Sequence, residues 1–366
     1  MFYHCVGVLQ RAGRRLGRAG LPCLAGLVLT LGGVSGVRAA EPVAVVASFS
    51  ILGDMVKVIG GDQVVLTTLI GPGEDAHAFD PAPADMRTLA AAKVLVTNGL
   101  GFEGWMPRLV KASGFKGRHI VASEDVKLRT LANGHDHHSH DHKAPAGHHD
   151  HDHHDDHKNH AHDHDNHDNH DNHRDHTAAS GTRGDSATVD PHAWQDLENG
   201  VIYARNIARG LAEADPANAA QYQQRADQYV ASMRELHAAI GQALQAIPSG
   251  RRRVVTPHDA FGYFDQAYGV TFVSAAGLSS DAEPSAKDIA RLVRDIKASA
   301  STALFTEGVS GSGRVIEQVA RETGLKVGGP LFSDSLAAPG QPADTYLGMF
   351  RWNADQIISA LQQSRQ

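Results

Sequence analysis

"NAAQYQQRADQYVASMRELHAAIGQALQAIP", residues 218–248, is the stretch of sequence that decides the fold. Its apolar positions recur every three or four residues: Tyr222, Ala226, Tyr229, Met233, Leu236, Ile240, Leu244 and Ile247. This spacing places them on one stripe of a long helix. Pro216 stands near its start and Pro248 at its end. A helix of about thirty residues is a rod of roughly 45 Å, at ~1.5 Å of rise per residue.

Short apolar runs alternate with helical patterns on both sides of this helix. Before it come "VAVVAS" (43–48), "VVLTTLI" (64–70), "KVLVTNG" (93–99) and "RHIVAS" (118–123). After it come "RVVT" (253–256), "VTFVSA" (270–275), "TALFT" (302–306) and "KVGGPLF" (326–332). Continuous apolar strands alternating with helices are typical of parallel sheets covered on both faces. We therefore predict an α/β protein with two parallel-sheet lobes, residues 40–213 and 249–366, joined by one long rigid helix, residues 214–248.

The first 39 residues have the pattern of a signal peptide. A basic region with Arg11, Arg14, Arg15 and Arg18 precedes the apolar run "LPCLAGLVLTLGGVSGV" (21–37), and small residues lead to a cleavage site near Ala39–Ala40. The run is short and glycine-rich for a bilayer span. Both cysteines, Cys5 and Cys23, lie in this segment, and "GLPC" is a poor lipidation motif. We expect a cysteine-free, unanchored, monomeric protein in the periplasm.

Residues 135–176 differ from the rest of the chain. They contain eleven aspartates against three basic residues, and 18 of the chain's 24 histidines. The histidines are His135, His137, His138, His140, His142, His148, His149, His151, His153, His154, His157, His160, His162, His164, His167, His170, His173 and His176. With few apolar residues this stretch cannot form a core, so we predict a disordered loop inserted in the first lobe. It could collect or buffer metal ions, or be a solvated spacer.

The remaining charges nearly balance, and no long basic face suggests a nucleic-acid partner. Six histidines lie outside the insert; His4 is in the leader, and we expect His119 and His237 to be packing or surface residues. The other three stand at expected strand ends or helix starts.

His77 and His258 each follow a predicted strand, as does Asp334 in "LFSDSL". Ligands of open α/β sheets bind beyond the carboxyl ends of strands. For "DPHAW" (190–194) we predict Asp190 as a helix N-cap and His192 in the first helical turn, where the helix dipole favours a neutral imidazole. Three imidazoles and one carboxylate suit tetrahedral Zn²⁺. The spacing alone is weak evidence, because the four residues span more than 250 positions, and the alternative is that each is a capping or turn residue.

Five stretches resemble the solute-binding proteins of zinc and manganese ABC transporters, whose lobes are joined by a rigid helix. They are "GEDAHAFDPAPADM" (73–86), "DPHAW" (190–194), "HDAFGYFDQAYGV" (258–270), "GLSSDAEPSAKDI" (277–289) and "FSDSLAAPGQPADTYLGMFRWNADQI" (332–357). The resemblance implies that His77, His192 and His258 are metal ligands and that Asp334 is the carboxylate ligand. Some members place a glutamate before the first histidine; Ala76 stands there in this chain.

The resemblance also bears on the metal and the partners. The manganese branch usually has a carboxylate where His258 stands, and imidazole in its place favours zinc. Glu307 and Asp190 are candidates for orienting ligand imidazoles. We expect capture of Zn²⁺ for an ABC permease, with a second periplasmic metallochaperone as a further candidate partner. Alternatives are Mn²⁺ or Fe²⁺ transport, a zinc buffer without a transporter, and a zinc hydrolase. The hydrolase needs an open coordination position and a general base that a closed three-histidine, one-aspartate set does not offer, so we expect no enzyme.

Overall fold

A computed structural model of the chain describes residues 41–131, 188–277, 284–299, 302–308 and 313–363. The predicted signal peptide and the histidine-rich stretch, residues 135–176, lie outside these described residues. Within the described ranges, none of the helices combines the length and apolar character needed to cross a bilayer.

The first lobe is built on a four-stranded parallel sheet. Its strands are β1 (Val43–Phe49), β2 (Val64–Ile70), β3 (Val94–Thr97) and β4 (Arg118–Val121), in the order β2-β1-β3-β4. Its connecting helices are α1 (Ser50–Gly60), α2 (Pro83–Ala91) and α3 (Met106–Ser113). All four predicted strand runs are thus confirmed. The two central strands, β1 and β3, are buried almost throughout, as a parallel sheet between layers of helices requires, whereas the outer strands β2 and β4 are more exposed.

A short antiparallel ribbon and a helix follow the first sheet. The ribbon pairs β5 (Thr130–Leu131) with β6 (Thr188–Val189), and the helix α4 spans Leu197–Ala214. We call the paired strands β5 and β6 the stem. Residues 132–187, between these two strands, lie outside the described residues.

The long helix α5 (Ala219–Gln245) has 27 residues, or about 40 Å at ~1.5 Å per residue. All eight residues of the predicted apolar stripe are buried. The stripe packs against α4 and α1 of the first lobe and against helices of the second lobe described next. A single helix with one continuous apolar face therefore serves both lobes.

The second lobe repeats the plan of the first. Its strands are β7 (Arg253–Thr256), β8 (Thr271–Ser274), β9 (Ala303–Glu307) and β10 (Val327–Leu331), all parallel in the order β10-β9-β7-β8. Its helices are α6 (Gly262–Tyr268), α7 (Ala286–Ala298), α8 (Gly313–Thr323) and α9 (Tyr346–Gln363). The predicted class, two parallel α/β lobes, is confirmed.

The apolar core is shared between the lobes. One cluster of buried residues runs from the first sheet across α4 and α5 to α6, α9 and one face of the second sheet. A smaller cluster lies under α7 and α8 on the other face of that sheet. Successive strand residues point to opposite faces, so Val254 and Phe305 belong to the large cluster while Val255 and Leu304 belong to the small one. The large cluster therefore connects the two lobes through one continuous apolar core.

Candidate metal centre

Strand ends from both lobes meet at one place. His77 lies in the loop after β2, His258 two residues after β7, and Asp334 three residues after β10. His192 lies just after β6, in the loop that leads to α4. Parallel strands direct their carboxyl ends to one edge of a sheet, so the loops of both sheets converge in the cleft.

These four side chains form a compact cluster. Each offers one ligand atom, and these atoms all lie within 4.8 Å of one another. The Asp334 carboxylate is at the centre: its Oδ2 is 3.0 Å from Nε2 of His258 and 3.3 Å from Nε2 of His77, and its Oδ1 is 3.6 Å from Nε2 of His192. His192, His258 and Asp334 are buried, and His77 is partly exposed. Among the described residues this is the only group of His, Cys, Asp and Glu side chains arranged to hold a metal ion.

Two carboxylates behind the cluster fix the imidazole tautomers. Nδ1 of His192 donates to Oδ1 of Asp190 at 2.8 Å, and Nδ1 of His258 lies 2.6 Å from Oε2 of Glu307. When the imidazole is neutral, a proton held on Nδ1 leaves the lone pair of Nε2 facing the centre, which is the form a metal ion binds. Arg129 in turn donates to Oδ2 of Asp190 at 2.7 Å. Both imidazoles are therefore oriented before any ion arrives.

The cluster stabilises protonated imidazoles beside an ionised carboxylate. Burial opposes a charged imidazole, but the carboxylates of Glu307 and Asp334 outweigh it and hold the pKa of His258 well above its usual value. Burial likewise opposes protonation of His77, and Asp334 again raises its pKa. Burial acts against the charge of Asp334 too, yet His258 and His192 hold its pKa well below its usual range. Protons and a metal ion would compete for this site.

The structure places the predicted site residues as follows. His77, His192, His258 and Asp334 are brought together, and Asp190 and Glu307 contact His192 and His258. His119 bonds to Thr97 and His237 to Tyr268, both outside the cluster. The eighteen histidines of residues 135–176 lie outside the described residues.

The predicted helix start at Asp190 is wrong. Helix α4 begins at Leu197, and its N-cap is Asp196, whose side chain accepts a hydrogen bond from the Glu198 N–H. The carboxylate of Asp190 is engaged by the N–H and Nδ1 of His192 and by Arg129 instead. His192 thus precedes a short 3₁₀ turn rather than lying in the first turn of a helix, and its Nδ1 bonds to Asp190.

Sequence reasoning missed the residues that hold the Asp334 segment. Trp194 and Gln195 donate to the carbonyl of Ser333, and Ser50 accepts from the N–H of Leu336. Arg129 was missed as well. These side chains act on main-chain groups or on another side chain far away in the sequence, so no local spacing marks them.

Two parallel α/β lobes that enclose a buried cation-binding cluster define a solute-binding protein for a metal ion. The chain belongs to the ZnuA family, described as zinc-uptake complex component A, periplasmic, which it matches over residues 45–360. Membership confirms the resemblance seen in the sequence.

Relatives agree on the class and differ in the metal that they are named for. The metal ABC transporter substrate-binding lipoprotein SloC of Streptococcus mutans is 30% identical over 325 residues, 87% of this chain and 90% of the relative. The manganese ABC transporter substrate-binding lipoprotein PsaA of Streptococcus pneumoniae is 26% identical over 344 residues, 92% of this chain and 95% of the relative. The structure of the periplasmic zinc-binding protein TroA of Treponema pallidum superposes with a TM-score of 0.69 at 25% identity, covering 88% of this chain and 99% of that one.

The chain is therefore a metal-binding component of an ABC transporter, with an ABC permease as its partner. The family consists of substrate-binding proteins, so the expectation that the chain is not an enzyme is confirmed. The ion it carries is a separate question, because its relatives are named for different metals.

Proposed function

We propose that the chain captures Zn²⁺ in the periplasm and delivers it to an inner-membrane ABC permease, with His77, His192, His258 and Asp334 as ligands. The observation that carries this proposal is the convergence of three imidazole Nε2 atoms on one carboxylate. Zn²⁺ prefers four ligands of this nitrogen-rich kind in a tetrahedral arrangement.

The donor set favours zinc over manganese. Three nitrogens and one carboxylate supply fewer hard oxygen atoms than Mn²⁺ prefers, and a nitrogen-rich site follows the Irving–Williams order, in which Zn²⁺ binds more tightly than Mn²⁺. His258 is the decisive donor, because a carboxylate there would add a hard oxygen. Mn²⁺ and Fe²⁺ remain the alternatives for the same transport role.

The parts outside the described residues complete the proposal. Residues 1–39 would direct export, and the histidines of residues 135–176 would add weaker zinc sites that collect or buffer the ion. The curated relatives named above are lipoproteins, whereas Cys23 of this chain stands at the start of the apolar run, which favours an unanchored mature form. We place the first lobe at residues 40–213, the linker helix at 214–248 and the second lobe at 249–366.

Substitution of the ligands tests the assignment. His258→Ala, His77→Ala and His192→Ala should each weaken tight zinc binding by orders of magnitude, measured by competition titration against a chelator, while the fold stays intact by circular dichroism. His119→Ala is the matched control, since His119 lies outside the cluster. Wild-type affinity in all three site variants would show that the ligands are elsewhere.

Competition between metals tests the choice of ion. Zn²⁺ should displace Mn²⁺ from the wild-type protein, and His258→Glu should narrow the difference in affinity. Preferential retention of Mn²⁺ by the wild type would overturn the zinc proposal. Growth of a deletion strain in zinc-poor medium separates transport from buffering alone.

A further inference from the structure

The main chain on the amino side of Asp334 is bound by two buried side chains of the first lobe. The carbonyl of Ser333 accepts one hydrogen bond from Nε1 of Trp194 at 2.8 Å and another from Nε2 of Gln195 at 2.7 Å. Both donors are fully buried. They follow His192 by two and three residues, so the loop that supplies one candidate ligand also holds the peptide group before another.

The main chain on the carboxyl side of Asp334 is also bonded to the first lobe. The N–H of Leu336 donates to Oγ of Ser50 at 3.0 Å, and the N–H of Gly73 lies 2.6 Å from Oγ of Ser335. Ser50 begins α1, and Gly73 lies in the loop that carries His77. Asp334 follows a strand of the second sheet, yet main-chain groups on both of its sides bond to the first lobe.

Packing alone does not explain a glutamine at position 195. Its Nε2 reaches Ser333, but its Oε1 is buried and has no hydrogen-bond partner within the described part of the chain. An unpaired buried oxygen costs at least as much free energy of folding as one typical hydrogen bond contributes. The net contribution of this amide to folding is therefore small, and its clear physical effect is to hold the carbonyl of Ser333.

We infer that Gln195, together with Trp194, is a positioning residue that fixes the carboxylate of Asp334 against the imidazoles of His77 and His192 before the metal ion binds. The inference rests on the proposed ligand set. It adds the side chains that hold Asp334, the one oxygen donor of that set, in position. A carboxylate already in place gives up little conformational freedom when the ion binds, so the bound ion is held longer.

Gln195→Met is the direct test. Methionine has a similar length and no donor, and the change removes one hydrogen bond together with the unpaired oxygen. Zinc affinity of the full mature chain should fall at least about tenfold, mainly through faster release, as is typical when a partner of a metal ligand is lost. The metal-free melting temperature should stay the same or rise. The visible absorption of the Co²⁺-loaded protein should also change, because the carboxylate moves relative to the ion.

Asn206→Leu is the matched control. Asn206 is another buried amide that donates to main-chain carbonyls, those of Ala122 and Glu124, but both lie within the first lobe. This variant should lose stability and keep the zinc affinity, release rate and Co²⁺ spectrum of the wild type. A loss of affinity as large as that in Gln195→Met would show that any buried amide has this effect, and the inference would be wrong.

A second variant and a double mutant complete the test. Trp194→Phe keeps most of the ring and removes the other donor, so it should also speed release. In an Asp334→Ala background, Gln195→Met should change affinity no further, since its effect passes through Asp334. Additive losses would overturn the inference. Zinc release at the wild-type rate in both Gln195→Met and Trp194→Phe would also overturn it. If Asp334→Ala still weakens zinc binding in that case, the proposed ligand set survives without the inference. If Asp334→Ala keeps wild-type affinity, Asp334 leaves the ligand set and the inference falls with it.

Discussion

The buried carboxylates of Glu307 and Asp190 differ from the aspartate in the cluster, because each faces the far side of an imidazole. Glu307 accepts from Oγ of Ser333 at 2.8 Å and lies 2.6 Å from Nδ1 of His258. One side chain thus connects an imidazole of the second lobe to the segment that carries Asp334. A negative charge behind an imidazole makes its free nitrogen a better donor to a metal ion.

We predict that Glu307→Gln weakens zinc binding by about 10- to 100-fold, because the amide keeps the shape but removes the charge that supports His258. The affinity can be measured by chelator competition. Glu103→Gln is the control: Glu103 is equally buried, at 7% exposure against 6%, but bonds to Ser48, Asn98 and Gly99. Equal losses in the two variants would mean that general destabilisation, not support of His258, explains the effect.

For single residues, the sequence points to the candidate ligands more readily than to the side chains that support them. His77, His258 and Asp334 could be found because each follows an apolar run that ends in a turn, and strand ends converge. Gln195 could not be found, because its partner is a carbonyl 138 positions away and a lone glutamine carries no periodic signal. The tautomers of His192 and His258 likewise depend on carboxylates whose positions only the fold supplies.

Helix α1 is joined to α5 and α9 by one carboxylate. Oδ2 of Asp54 accepts from the N–H of Tyr346, the first residue of α9, at 2.9 Å and from the hydroxyl of Tyr229 on α5 at 3.4 Å. Burial raises the pKa of Asp54, and these hydrogen bonds only partly offset the effect. Three helices therefore meet at a buried carboxyl group whose charged form is disfavoured.

We predict that the free energy of unfolding of Asp54→Asn, compared with that of the wild type, increases as the pH rises from about 4 to about 7. An acid whose pKa is raised on folding contributes stability below its unfolded pKa and loses it as pH rises through the folded pKa. Asparagine keeps an acceptor for Tyr346 and Tyr229, and because it does not ionise, it loses no stability as the pH rises. Denaturant unfolding at several pH values measures the difference, and Asp62→Asn, at an exposed position, controls for net charge. A difference that does not grow with pH would contradict the assignment.

Elements were predictable where an apolar run ends at turn residues, and unpredictable where a side chain makes a contact that the local sequence does not reveal. The run "VVLTTLI" and the strand β2 have the same bounds, 64–70, and "RVVT" matches β7. The start of α4 was misplaced because Asp190 looks like an N-cap but bonds to His192 and Arg129. The stem was missed because strands of two residues leave no alternation to detect.

At the scale of the molecule, the candidate ligands lie outside the histidine-rich stretch, on both sides of it in the sequence. We predict that deleting residues 135–176 lowers the number of zinc ions bound but leaves one tight site. The deletion keeps the stem and enough chain, residues 132–134 and 177–187, to join its strands. When both proteins are titrated at pH 7.5 and at about pH 6, the deleted protein should lose fewer bound zinc ions at the lower pH than the full-length chain, because histidines of ordinary pKa protonate near ~6.5.

The full-length chain titrated in parallel is the reference for this deletion. Loss of the tight site would place that site in the deleted stretch and reject the cleft ligands. An unchanged number of bound ions would instead leave the deleted histidines without a part in metal binding.

The stem makes the histidine-rich stretch a place where the gene can change length at little cost. A segment inserted between two paired strands can lengthen without displacing either sheet, and in general each doubling of a flexible loop costs only about 0.6 kcal/mol. Residues 164–172 read His-Asp-Asn three times over, the kind of repeat that slippage during DNA replication lengthens or shortens by whole units. Each added unit brings one more imidazole and one more carboxylate. If the stretch collects metal ions as proposed, descendants of this gene can adjust that capacity while inheriting the cleft unaltered.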